Sequence, residues 1–172
     1  MNSNTPIPGS GQLRAGDRFW VANPGLQQQL GAMQQQLAHI INQLDTVNAR
    51  AALAEAREFN SKIPTRRKVV DYLPIPKLIA GHPNVQLPPI QNLNMQAEYG
   101  IGDLPPPNLL PRNDAAYTEL KAAHQNLATL RTRVRRIMWF YHDPVLGPML
   151  NDAATRDECR GFLDTLKEYI KS

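Results

Sequence analysis

Four arginines fall within six residues, Arg131, Arg133, Arg135 and Arg136, and Trp139, Phe140 and Tyr141 follow closely. A guanidinium is a planar, permanently charged donor suited to phosphate oxygens, and an aromatic ring gives a base a surface to stack on. The chemistry on offer is binding of nucleic acid or another polyanion. The competing account is a solvated helix face, with cations toward a helix C-terminus where the macrodipole favours them. Apolar residues interrupt the cluster, so the arginines spread around such a helix. Arg66, Arg67 and Lys68 form a second basic patch, which reads as an exposed turn unless the fold joins it to the first.

The remaining reactive residue types are scattered. His39, His82, His124 and His142 make no pair at metal-ligand spacing with each other, a cysteine or a carboxylate. No metal site is expected. His39 falls off the apolar stripe described below, and His142 with Asp143 suggests a helix-ending hydrogen bond. Cys159 with a distant histidine would be a nucleophile pair, but it shares an apolar face with Phe162 and Leu163 and reads as a packing residue. Asp157 and Glu158 sit where the first turn of a helix favours acids. Gly9 and Gly11 lack the Gly-Lys-Ser/Thr of a phosphate loop. With no catalytic constellation and no cofactor motif, a non-enzymatic protein without a cofactor is expected.

The strongest pattern lies in the elements that would carry these groups. Leu26, Leu30, Met33, Leu37, Ile40, Leu44, Val47 and Ala51 are spaced alternately four and three apart, and Ala54 continues the register. This is a heptad repeat of about four heptads, and such a stripe is unfavourable in water. Ile41 and Leu53 widen it beyond a strict two-residue seam. Gln27 to Gln29 and Gln34 to Gln36 flank it, so salt bridges contribute little to partner choice. Asn23 is a suitable N-cap and Pro24 suits the first helical position. The helix should occupy 23–61 and stop before Pro64. The alanine-rich stretch from Ala49 to Ala56 favours helix and allows close packing.

Residues 1–22 read as a tail that Trp20 and Val21 could staple to this helix. The segment 62–112 holds most of the 15 prolines, which argues against long helices and central strands. Yet Val69, Val70, Tyr72, Leu73, Ile75, Leu78 and many other apolar residues lie there, too many for a solvated linker. An extended strap over helical surfaces is expected, with short helical turns over 92–98 and Trp139 packed beneath it. The region 113–172 should contain a second long helix over 113–141, capped by Asn113 or Asp114. Ala116, Leu120, Ala123, Leu127, Leu130, Val134, Ile137 and Tyr141 repeat the four-three spacing. A third helix should run from Thr155, whose capping box is completed by Glu158, to about Ile170.

Three short pieces carry a resemblance: Ala49-Arg50 with Asn60-Ser61, then Leu73-Pro74-Ile75-Pro76, then Gly81-His82-Pro83 with Leu87-Pro88. The stretch is similar to a group of fungal coiled-coil proteins in which a heptad helix is followed by a proline-rich segment and a small helical unit. The likeness covers about a quarter of the chain, and implies a coiled-coil protein with no activity to carry over.

Net charge is +4, which permits a polyanionic partner without demanding one. With Cys159 alone there is no intrachain disulfide, and no run is long and apolar enough to span a membrane. Together with an N-terminus unlike a secretory signal, this gives the expectation of a soluble, cytoplasmic protein. The fold expected is all-α: a long coiled-coil helix, a proline-rich strap, a second long helix and a short C-terminal one. The two seams could pair antiparallel within one chain, and two chains could build a dimeric helical bundle. The function expected is a self-associating scaffold, homodimeric through the first helix; the alternative is a nucleic-acid-binding module using Arg131 to Arg136.

Overall fold

In a computed structural model, which describes residues 24–64, 67–85, 95, 98–122 and 126–172, the chain is all-α. The helices are α1 (Pro24–Ser61), α2 (Asp114–Leu120), α3 (Leu127–Tyr141) and α4 (Arg156–Lys171), with a 3₁₀ turn at Pro144–Leu146. No strand occurs among the described residues. The expected tail, with Trp20 and Val21, lies outside them. Of the helical turns expected over 92–98, Met95 and Glu98 are described and are not helical. The chain divides into two compact units, Met1–Gln43 and Leu44–Ser172. The described part of the first is the N-terminal portion of α1.

The second unit is built around α3 and α4, which pack on each other. Leu130, Val134, Ile137 and Phe140 of α3, with Cys159, Leu163, Leu166 and Ile170 of α4, are buried in one core. Each large side chain so buried contributes on the order of 1.5–3 kcal/mol. From Arg136 to Tyr141 every residue of α3 is buried, so this end of the helix is enclosed on all sides. The expected apolar face of α4 is the buried one, and its capping box is present: the Thr155 hydroxyl accepts from the Glu158 N–H while the Glu158 carboxylate accepts from the Thr155 N–H.

The second long helix expected over 113–141 is instead two helices. Asn113 caps α2 by accepting from the Ala116 N–H, and α2 stops after Leu120. Asn126 then starts α3, its side chain accepting from the N–H groups of Ala128 and Thr129. An asparagine that caps the next helix cannot also continue the last one. Carbonyls left open at the end of α2 are taken up from α4: Arg156 donates to Ala122 O at 3.2 Å and Arg160 to Lys121 O at 2.9 Å. The apolar spacing carries across this break, which is why it reads as one helix in the sequence.

The described residues of 62–112 form the expected extended strap. Isolated backbone bonds hold it, from Tyr72 N–H to Arg112 O, Lys77 N–H to Asp103 O and Gly102 N–H to Lys77 O. Pro74 and Pro76 remove alternate donors, so no ladder develops. Ile75, Pro76 and Lys77 are buried against the core.

Candidate self-association surface and arginine cluster

Along α1 the seam residues Leu26, Leu30, Met33, Leu37, Ile40, Leu44 and Val47 are all exposed, by 38 % to 61 %. Ala51 and Ala54 are exposed too. The buried residues of α1 are Ala49, Leu53, Ala56 and Asn60, which recur on the opposite register. They lie two residues along from Val47, Ala51 and Ala54, and two residues turn a helix by about 200°. Over 44–61, therefore, α1 docks with its back and presents the seam outward. Leu53 belongs to the docked face, which corrects the reading that it widens the seam. Within the second unit the expected antiparallel pairing of the two seams is likewise not formed: Leu44 and Val47 are exposed, while Val134 and Ile137 face the core.

The docked face is fixed by polar groups as well as apolar ones. Asn60 is fully buried. Its amide donates to Leu73 O at 3.0 Å and Ile170 O at 3.3 Å, and its carbonyl oxygen accepts from the Leu73 N–H at 2.8 Å. It thereby ties the end of α1 to the strap and to the end of α4. Arg57 donates to Tyr169 O at 2.9 Å and lies over the Tyr169 ring. Asn60, of the Asn60-Ser61 pair, is thus bonded to Leu73 at the head of the Leu73-Pro74-Ile75-Pro76 run.

The arginine cluster is turned to internal acceptors. Arg131 donates to the carbonyls of Ala154 and Ala153. Arg133 donates to Asn108 O at 2.6 Å and Leu109 O at 3.3 Å, and burial lowers its pKa. Arg135 pairs with Asp152, and Arg136 is buried. The side chains brace α3 against the strap and the α3–α4 connection rather than converging on one surface. Of the second basic patch, Arg67 and Lys68 are described and exposed; Arg66 lies outside the described residues.

The aromatic neighbours are also internal. The Trp139 indole donates to Val85 O at 3.3 Å and stacks on the His82 ring at 4.2 Å between centroids, beneath the strap as expected. Cys159 is buried, and burial raises its thiol pKa, away from the thiolate a nucleophile requires. The His142 backbone, in the left-handed conformation, ends α3 by donating to Met138 O. Asp143 instead accepts from the Val145 N–H and the Tyr169 hydroxyl, so the expected His142–Asp143 bond is not what ends the helix.

The buried roles of two charged residues, Lys77 and Asp114, escaped the sequence reading. The Lys77 ammonium donates to the Phe140 and Tyr141 carbonyls at the C-terminus of α3, where a cation is favoured. Burial brings its pKa down to about 8. Asp114 sits in the core of the second unit. Burial works against its carboxylate, but Lys167 at 2.6 Å, the Tyr72 hydroxyl at 2.5 Å and Lys171 outweigh it and hold the pKa below the usual value. The signal for Lys77 was its place inside the apolar run Ile75-Pro76-Lys77-Leu78-Ile79; Asp114 gave none beyond its capping position.

In comparisons with known proteins, no family model, no curated protein and no solved structure matches the chain. Among the described residues, no helix is long and apolar enough to cross a membrane.

Proposed function

We propose that this chain is a non-enzymatic scaffold that associates with copies of itself through the seam of α1. The observation that carries the reading is the division of labour on α1: one face docks at Ala49, Leu53, Ala56 and Asn60, and the opposite face keeps an unbroken heptad series exposed. Seven large apolar residues in heptad register are complementary to another helix of the same register. Polyanion binding finds less support, because Arg131, Arg133 and Arg135 already have acceptors.

The test is a charge in the seam. Leu37→Glu or Leu44→Glu should reduce the molar mass measured by light scattering to that of one chain. The second unit should keep its near-ultraviolet dichroism, since neither residue is in its core. A variant that keeps the wild-type mass would show that the seam is not the contact.

A further inference from the structure

The identity of the seam residues speaks to how many chains meet. Leu30, Leu37 and Leu44 are each followed three residues later by Met33, Ile40 or Val47. That spacing places these three leucines at the a seats of the heptad, and Met33, Ile40 and Val47, with Leu26 ahead of them, at d. Two-stranded coils favour the reverse, with β-branched residues at a and leucine at d. In a pair, a side chain at d points straight toward its counterpart, and a branch at Cβ crowds that approach. Leucine at a with isoleucine at d shifts the preference to more strands.

The flanking seats agree. Gln27, Gln34 and Ile41 occupy e, and Gln29, Gln36 and Gln43 occupy g. In a pair these seats border water and commonly carry Glu and Lys. Around a larger core they are partly covered, and covering an amide costs less than covering an ion. From Pro24 to Leu44 there is no Asp, Glu, Lys or Arg at all. Ile41 is exposed on α1 and adds an apolar e seat beside Ile40. No polar residue interrupts the a seats, where one would fix a smaller assembly.

We infer that the occupant of the seam is three further copies of this chain, joined through α1 in a four-stranded coil. This rests on the self-association reading above. Leu30, Leu37 and Leu44 at a and Leu26, Met33, Ile40 and Val47 at d form alternating layers of four, with the β-branched Ile40 and Val47 in the later d layers, and Ile41 closes the groove between adjacent helices. The pair expected from heptad spacing alone is half of this assembly.

Sedimentation equilibrium of the full chain decides the count, with an expected mass four times the 19.3 kDa of one chain. A mass of two or three chains would overturn the four-stranded coil and leave self-association standing. A mass of one chain would overturn both, with the seam covered within the chain, for instance by residues 1–22. Exchanging the seats tests the cause: Leu30→Ile, Leu37→Ile and Leu44→Ile combined with Met33→Leu, Ile40→Leu and Val47→Leu should halve the mass. If that variant loses helical dichroism, the milder pair Ile40→Leu with Val47→Leu carries the same expected shift toward two chains. An exchanged chain that remains folded at four copies would refute the packing argument.

Discussion

Lys77 shows how one buried charge sets a pH dependence. Its ammonium caps the Phe140 and Tyr141 carbonyls, yet burial depresses its pKa from 10.5 to about 8. The unfolded chain therefore binds more protons than the folded one between those values, and stability attributable to this residue rises with pH across that window. Below about pH 8 the lysine is protonated in both states and the penalty is constant. Lys77→Met leaves the carbonyls without this donor, a loss of about 1–3 kcal/mol. In urea denaturation followed by tryptophan fluorescence, the gap between wild type and Lys77→Met should widen from pH 7.5 to pH 10. A gap that stays constant or narrows would contradict the depressed pKa. Such residues are hard to read from sequence, because Lys77 acquires its partners only when the strap meets the end of α3, more than sixty residues later. The arginines illustrate the converse. Their spacing advertised a surface, but the acceptors that use them, Asn108, Asp152 and Ala154, come from loops whose course no local pattern specifies.

Elements were legible wherever periodicity and caps agreed. The capping box of α4 and its face from Cys159 to Ile170 follow directly from residue type and spacing. The interruption between α2 and α3 was hidden, because the apolar spacing runs through it while Asn126 acts as a cap. The docked face of α1 was also obscured: Ala49 and Ala56 are small, Asn60 is polar, and the larger seam residues dominate the pattern. Within α4, Gly161 is exposed, and an added Cβ would meet nothing within 4 Å. Gly161→Ala should stabilise the second unit by about 1 kcal/mol through helix propensity alone. Thermal melting checks this; an unchanged or lower midpoint would mean that α4 does not limit the stability of this unit.

For the whole molecule, the two faces of α1 have different tasks. The face at Ala49, Leu53, Ala56 and Asn60 completes the core of the second unit, while the exposed heptad series belongs to assembly in the reading proposed above. A helix that leaves such a stripe in water gains by burying it, and association makes that gain dependent on concentration. The most direct measurement is the molar mass of the wild-type chain by light scattering across a hundredfold dilution. Self-association through α1 requires a mass above 19.3 kDa that falls, if at all, only toward the dilute end. A mass of one chain at every concentration would contradict it.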